Sequence, residues 1–332
     1  MVLFHRTRTA MRVVCATVAV FCTSLVAFAA DNPVGPIPTS PFKDEIEVRL
    51  VLLHATVLNK RGETVRGLAA EDFLVTEDGV PQTISVFGHE ENQPLKVAFL
   101  LDVSGSMALG GKLEAARQAI HRFVDALRPD DQVALLIFAD AAVVVKKGFT
   151  TDRALFFDRL DGVEAFGKTA LHDALAATPS LLSEAAPGRK AVILLTDGVD
   201  NASAITATEA LETARKVSVP VYVIGIADRP LGKEGTPPTG PVDPDGGGAE
   251  GQTLFDTLSE VADGTGGEMV PAYGPEQILE AARTVEERLR SQYVLGYRPS
   301  GRALPGFRAV QVATTSKRYE VQTRKGYVVA IP

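Results

Sequence analysis

The sequence predicts an α/β protein: a doubly wound, mainly parallel sheet with helices on both faces, and a small β-domain formed by the N- and C-terminal flanks. Apolar runs such as KVAFLLDV and AVILLTDG are typical of strands buried on both faces. They alternate with segments of helical spacing such as KLEAARQAIHRFVDAL. This alternation implies right-handed crossovers and a mainly parallel sheet.

The other central elements follow the same rhythm. Further strands are predicted at VALLIFA, AVVVKKG and VPVYVIGIA. Further helices are predicted at DRALFFDRL, TALHDALAATPSLLSEA, ITATEALETARKV, TLFDTLSEVADG and PEQILEAARTVEERLRSQ. Residues 229–251 interrupt the rhythm, because Gly, Pro and acidic residues dominate them, and we expect a flexible loop there.

The two flanks show alternating polar and apolar residues, which is typical of half-buried strands. EIEVRLVLLHATVLN, DFLVTEDG and TISVFGHE precede the central part, and YVLGYRP, FRAVQVATT and RYEVQTRKGY follow it. Because two or three strands alone are marginally stable, we expect both ends to pair into one discontinuous β-domain. The expected division is 1–29 signal peptide, 30–42 Pro-rich leader, 43–93 N-terminal β-module, 94–290 α/β domain and 291–332 C-terminal strands.

The first 29 residues have the layout of a secretory signal peptide. Three arginines, Arg6, Arg8 and Arg12, precede the apolar run VVCATVAVFCTSLVAFA, and small residues stand before a cleavage point after Ala29. We therefore expect a secreted or periplasmic protein without stable membrane insertion after cleavage. The alternative is an uncleaved N-terminal anchor, although the apolar run is short for a membrane span.

Composition excludes several classes of function. The 332 residues suffice for about two globular domains, with 45% hydrophobic and 23% charged residues. The net charge of −7 becomes −10 when the three arginines leave, and no Lys/Arg-rich block indicates nucleic-acid binding. Cys15 and Cys22 would also leave, which excludes disulfides, thiol chemistry and Cys-bound zinc from the mature protein.

Five oxygen-bearing side chains follow strand ends or begin a helix. Asp102, Ser104 and Ser106 stand directly after the strand KVAFLL, Thr169 lies in GKTALHDAL, and Asp197 ends the strand AVILLTDG. Loops at the carboxyl ends of parallel strands meet at one edge of an open sheet, so we expect these residues to converge. Small oxygen ligands on tight turns suit a hard divalent cation such as Mg²⁺.

These motifs resemble the von Willebrand factor type A (VWA) domain with its metal-ion-dependent adhesion site. The resemblance covers residues 94–290, with D-x-S-x-S at 102–106, the later Thr and Asp, FAD at 138–140 and TGG at 265–267. The flanking segments RGETVRGLAAEDFLVTEDGVPQTISVF, YVLGYRP and RKGYVV are similar to the bacterial VWFA-related family first defined in Acidobacteria.

The resemblance implies a ligand set and a function. Ser104, Ser106 and Thr169 would supply neutral hydroxyl ligands, whereas Asp102 and Asp197 would hold coordinating waters. The cation, Mg²⁺ in the first place and Ca²⁺ or Mn²⁺ otherwise, would then keep positive charge for an Asp or Glu carboxylate of a protein partner. We expect a binding protein rather than an enzyme; the alternative is a structural or assembly factor of the cell envelope in which the metal stabilises the loops.

Each residue also has a structural interpretation. Asp102, Ser104, Ser106 and Thr169 could cap helices or stabilise turns, and Asp197-Gly198 could be an ordinary turn. Their joint occurrence, in order and each at a suitable boundary, favours a site.

Other kinds of site are less well supported. SGSMALGGKLE nearly forms a phosphate loop, but Ser106 replaces the first Gly and Leu113 the Ser/Thr that would hold magnesium. No G-x-S-x-G occurs. A metal-assisted hydrolase would need His172 as its base. Calcium could bind Asp243, Asp245 and Glu250, but their spacing does not match a calcium loop.

The helix at 275–291 could transmit a shape change from the metal site.

Overall fold

The computed structural model describes residues 50–89, 93–140, 142–183, 188–198, 200–216, 219–227, 247–300 and 305–329. All of them belong to the compact unit Glu45–Pro332. The expected signal peptide and leader, and residues 229–246 of the expected loop with Asp243 and Asp245, lie outside the described residues.

The described residues form six α-helices, two 3₁₀ helices at Ala70–Asp72 and Gly105–Gly111, and fourteen strands. The helices are α1 Lys112–Ala126, α2 Arg153–Asp161, α3 Leu171–Ser183, α4 Ala207–Lys216, α5 Gly247–Thr265 and α6 Pro275–Arg290. The strands are β1 Val51–Leu58, β2 Phe73–Glu77, β3 Val80–Gln82, β4 Ile84–His89, β5 Leu95–Asp102, β6 Gln132–Ala139, β7 Ala142–Thr150, β8 Arg189–Thr196, β9 Val221–Ala227, β10 Met269–Tyr273, β11 Tyr293–Tyr297, β12 Gly306–Thr314, β13 Glu320–Gln322 and β14 Gly326–Val329.

The central sheet has six strands in the order β10-β9-β8-β5-β6-β7. All neighbours are parallel except β7, which runs antiparallel to β6 at one edge. The chain runs from β5 to β6 on one side and later returns to β8 on the other side. This reversal is a topological switch point, where loops diverge and leave room for a site. The predicted fold class is confirmed.

Helices cover both faces of this sheet. Phe99 and Leu101 of β5 pack in one core with α1, α2 and α6. Ala98 and Leu100 pack in the other core with α3, α4 and α5. The side chains divide in this way because successive residues of a strand point to opposite faces. Burial on both faces explains why β5 is apolar without a break from Val97 to Leu101.

Strands from both flanks form two further sheets of four strands each, in the orders β13-β1-β11-β4 and β14-β12-β2-β3. The C-terminal strand β11 lies between the N-terminal strands β1 and β4, with His54 opposite Val294. The C-terminal strand β12 pairs antiparallel with β2. The two sheets share one hydrophobic core, in which the carboxylate of Glu77 accepts hydrogen bonds from Tyr297 Oη (2.7 Å) and Tyr327 Oη (3.0 Å).

Four details differ from the sequence expectations. Two strands were not predicted, β3 and β10; each contains a proline, Pro81 or Pro271, and lies at a sheet edge, where the missing N–H is tolerated. The single strand expected at RYEVQTRKGY is two strands, because the turn at residues 323–325 carries the chain from one sheet to the other. Helix α5 begins at Gly247, inside the segment expected to be a loop.

The β-sheets of the flanks contact the end of the central sheet where its parallel strands begin. Arg66 donates to Ser291 Oγ just after α6, and Thr64 donates to Glu287 of α6 (2.9 Å). Arg189, the first residue of β8, donates to Gln292 (2.8 Å). The described contacts of the flank sheets therefore lie at the end opposite the carboxyl ends of the parallel strands. Among the described residues, no helix combines the length and apolar character needed to span a membrane.

Candidate metal site

Asp102 is the last residue of β5 and lies at the buried side of the site. Its side chain is buried, and its carboxylate accepts hydrogen bonds from Thr196 Oγ1 (2.5 Å) and from the backbone N–H of Ser104 (2.9 Å). Burial raises the pKa of Asp102; the hydrogen bonds from Thr196 and Ser104 oppose this shift, and the negative charge of Asp197 adds to it. The end of β8 thus fixes the carboxylate at the end of β5.

The hydroxyl groups of Ser104 and Ser106 lie close together in the turn that follows Asp102. Ser104 Oγ lies 3.1 Å from Ser106 Oγ, and Ser106 Oγ donates to Asp197 Oδ1 at 2.9 Å. Ser104 is 1% exposed, whereas Ser106 is exposed. The residues from Gly105 to Gly111 form a 3₁₀ segment interrupted by non-helical backbone at Leu109 and Gly110, and this segment places Ser106 beside Asp197.

A lysine shares the carboxylate of Asp197. Lys112, the first residue of α1, donates from Nζ to Asp197 Oδ2 at 3.0 Å. The lysine side chain is 12% exposed and the aspartate side chain 5% exposed. Both oxygens of Asp197 therefore have a partner, one the Ser106 hydroxyl and the other the ammonium group.

The backbone of Thr169 is bonded to the loop after β8. Its N–H donates to Asn201 Oδ1 (2.9 Å), and its carbonyl accepts from the N–H groups of Asn201 (3.0 Å) and Ala202 (3.1 Å). The loop before it is joined to the D-x-S-x-S turn, since Phe166 N–H donates to the Val103 carbonyl (2.7 Å). In the same way, Gly105 N–H donates to the carbonyl of residue 167 (3.0 Å). Thr169 is 2% exposed.

The loop before Thr169 depends on a glycine. Gly167 has φ +73°, and a Cβ placed there would come within 2.5 Å of Asp140 Oδ2. Asp140 in turn accepts from Lys168 N–H at Oδ1 (2.8 Å), and its own N–H donates to the Lys168 carbonyl (2.7 Å). The aspartate of the FAD segment therefore holds the loop that presents Thr169.

A hydrogen-bonded network holds the loop after β8 against α3. Asp200 accepts from Ser203 Oγ (2.5 Å) and from the backbone N–H of His172 (3.0 Å). Burial alone would raise the pKa of Asp200, but the hydrogen bonds from Ser203 and His172 and the nearby imidazole lower it overall. The His172 ring faces Asp200 (Nδ1 to Oδ2, 3.4 Å). This contact gives His172 a role in positioning the loop.

The structure joins four of the five predicted residues through hydrogen bonds. A continuous series runs from Asp102 through Ser104 and Ser106 to Asp197, whereas Thr169 makes backbone hydrogen bonds to Asn201 and Ala202 in the loop after β8. Within the described part of the chain, no cluster of three His, Cys, Asp or Glu side chains could hold a metal. A cation at this place would therefore depend on hydroxyl oxygens.

Three residues of the site were missed from the sequence. Lys112 was visible only as part of the rejected phosphate loop, in GGK. Thr196 lies inside an apolar strand segment, and Asn201 lies in a polar loop, so neither had a distinguishing pattern. Their roles depend on contacts between β8 and distant segments.

The fold and the site together define the class of the central domain. A parallel sheet with D-x-S-x-S after its central strand, a threonine at a helix start and an aspartate after the adjacent strand is the arrangement that the sequence resemblance to VWA domains predicts. Residues 97–199 match the family model described as von Willebrand factor type A domain. The chain contains a VWA domain.

Curated relatives are similar over part of the chain. An uncharacterized protein of Borreliella burgdorferi is 30% identical over 139 residues, which are 39% of this chain and 40% of the relative. The human inter-alpha-trypsin inhibitor heavy chain H4 is 31% identical over 118 residues, which are 32% of this chain and 12% of the relative. The chain thus spans less than half the length of these relatives.

Solved structures with a similar fold have low sequence identity. A von Willebrand factor type A protein from Catenulispora acidiphila has a TM-score of 0.47 at 13% identity, and the match covers 86% of this chain and 75% of the other. Proximal thread matrix protein 1 from the mussel byssus, described with a zinc-occupied MIDAS motif, has a TM-score of 0.49 at 20% identity. That match covers 64% of this chain and 50% of the other.

Proposed function

We propose that this protein binds a divalent cation and uses it to capture an acidic group of a protein partner. The cation ligands are Asp102, Ser104, Ser106, Thr169 and Asp197, directly or through water. In this role the protein is a binding module, and the sequence features of residues 1–29 support action outside the cytoplasm.

The observation that carries the proposal is the distance between the two serine hydroxyls. Adjacent ligands of an octahedral Mg²⁺ with Mg–O bonds of about 2.1 Å lie about 3.0 Å apart. Ser104 Oγ and Ser106 Oγ are 3.1 Å apart. The spacing supports two neighbouring positions on one small cation such as Mg²⁺.

The hydrogen bonds also leave the right atoms available. Ser106 directs its hydroxyl hydrogen to Asp197 and accepts from Ser104, so one oxygen lone pair of Ser106 remains for a cation. Asp102 is held by Thr196 and by the Ser104 N–H, which supports a role in orienting coordinating water. A divalent cation held mainly by neutral oxygens keeps charge that attracts an outside carboxylate.

Apolar side chains beside the site suit a protein partner. Leu109, in the turn after Ser106, is 66% exposed, and Phe166, beside the D-x-S-x-S turn, is 51% exposed. Exposed apolar residues around a polar centre favour a macromolecular surface over a free anion as the ligand.

Metal titration tests the proposal. We expect calorimetry with Mg²⁺, Mn²⁺ and Ca²⁺ to show one site in the wild type and strongly reduced affinity in Ser106→Ala and Asp102→Asn. Ser85→Ala is the matched control, because Ser85 lies in β4 of the flank sheets and donates to the Gly296 carbonyl. Equal metal affinity in all four proteins would exclude the assigned site.

Partner capture needs a second experiment. Proteins of the native envelope fraction that are retained in Mg²⁺, released by chelator and not retained by Ser106→Ala would support capture. If the envelope factor alternative holds, Thr169→Ala lowers the thermal midpoint in Mg²⁺ but retains the same proteins. That result would contradict capture through the metal.

A further inference from the structure

Lys112 stands next to the candidate cation site in an unusual place. It is the first residue of α1, where the positive end of the helix dipole disfavours a cationic side chain. Helix stability therefore does not account for a lysine there. Its ammonium group lies instead on the buried Asp197, 3.0 Å from Oδ2.

The backbone conformation of the turn before α1 determines the position of Lys112. Gly110 and Gly111 both have left-handed backbone angles, φ +63° and φ +74°, directly before it. Such angles are readily adopted by glycine and rarely by other residues. The pair reverses the chain between Ser106 and α1, so that a hydroxyl and an ammonium group reach the two oxygens of one carboxylate.

We infer that Lys112 is a built-in counter-cation of this site. Because its ammonium group offsets the negative charge of Asp197, it weakens the intrinsic affinity of the site for the divalent ion. For the same reason, more of the positive charge of the bound ion remains available to the carboxylate of the partner. Without Lys112, Asp102 and Asp197 would offer two negative charges to the ion. With Lys112, the side chains carry one net negative charge. The inference rests on the proposed cation site and concerns how that site is tuned.

The direction in which metal affinity changes when Lys112 is neutralised distinguishes a counter-cation from a residue that only positions Asp197. A unit positive charge a few ångströms from a divalent ion opposes binding by about tenfold even at the dielectric constant of water. If Lys112 served only to position Asp197, its removal would misplace a ligand and weaken metal binding instead.

The test compares Mg²⁺ and Mn²⁺ affinities of the full chain by calorimetry. Lys112→Met should bind both ions about tenfold tighter than the wild type. Lys112→Arg keeps the charge and should remain close to the wild type. Lys325→Met is the matched control, because Lys325 also pairs with an aspartate, Asp263 at 3.2 Å, near the other end of the central sheet.

Stability provides a second readout. Without metal, Lys112→Met should melt lower, because Asp197 loses its counter-charge, and Mg²⁺ should raise its midpoint more than that of the wild type. Lys112→Gln replaces the methionine variant if the latter does not fold.

The outcomes separate the two proposals. Suppose that the neutral Lys112 variants bind metal as well as the wild type or more weakly, while Ser106→Ala still loses metal affinity. That result overturns only the role of Lys112 and leaves the proposed cation site standing. A wild type and a Lys112→Met protein that both bind no metal overturn the proposed function as well.

Discussion

Thr196 Oγ1 donates to Asp102 Oδ2 at 2.5 Å, so the end of one parallel strand fixes the carboxylate at the end of its neighbour. The same threonine oxygen accepts the Gly198 N–H at 3.0 Å. One hydroxyl therefore joins the two loops that flank the switch point of the sheet.

Replacing this hydroxyl should affect both stability and the site. Thr196→Val keeps the shape of the side chain but leaves the buried carboxylate of Asp102 and the Gly198 N–H one partner short. We expect a loss of about 1–3 kcal/mol in the free energy of unfolding, measured by urea denaturation. Thr178→Val is the matched control, since Thr178 is 1% exposed and donates within its own helix to the Ala174 carbonyl. An equal loss in both variants would contradict a special role for Thr196.

Gly167→Ala should disturb the loop that presents Thr169. The added Cβ meets the Asp140 carboxylate at 2.5 Å in a backbone conformation that alanine rarely adopts. The control is Gly62→Ala, which has a similar φ of +77° but open space around the Cβ. Backbone strain of about 1 kcal/mol applies to both, so the additional destabilisation of Gly167→Ala reports the contact with Asp140. Metal affinity should fall only in Gly167→Ala; identical effects of the two variants would show that the contact does not matter.

His54 should make stability depend on pH. Burial, with the charges of Arg189 and Arg324, lowers the pKa of His54 from 6.5 to about 4. Between these values the unfolded chain binds a proton that the folded protein does not, so stability rises with pH across this window. The full effect is at most roughly 3 kcal/mol. Denaturation at pH 4.5 and pH 7 should show this slope in the wild type and a smaller one in His54→Gln. Parallel pH profiles would contradict the assignment.

Two tyrosines should act together in the core of the flank sheets. Tyr297 and Tyr327 donate to the same Glu77 oxygen, Oε2. Tyr297→Phe and Tyr327→Phe should each lower stability by about 1–2 kcal/mol. In the double variant the losses should not simply add, because both hydroxyls serve one acceptor. The chain has no Trp, so far-UV circular dichroism is the suitable probe. Strict additivity would contradict a shared contribution.

Much of the central fold could be predicted from residue patterns. The strands β5 and β8 have uninterrupted apolar stretches, at 97–101 and 191–195, and helix α6 shows clear helical spacing, so each is marked locally. The prolines in β3 and β10 conceal those strands, because proline argues against a strand unless it lies at an edge, and edge position is a property of the assembled sheet.

The candidate site was predictable only in part. Polar residues that directly follow buried strands, such as Asp102 and Asp197, stand out in the sequence. Thr196 and Lys112 do not, because their partners lie 94 and 85 residues away. The role of these two residues follows from tertiary contacts that no local pattern records.

The position of β11 between β1 and β4 has a consequence for biosynthesis. The N-terminal strands cannot complete their sheet until the C-terminal segment that separates them is available. Until then, the VWA domain can assemble while β1 and β4 still expose unpaired edges. Closure of the flank sheets then becomes a late, long-range step, and a nascent chain truncated before residue 293 would carry these edges as sites for aggregation or chaperone binding.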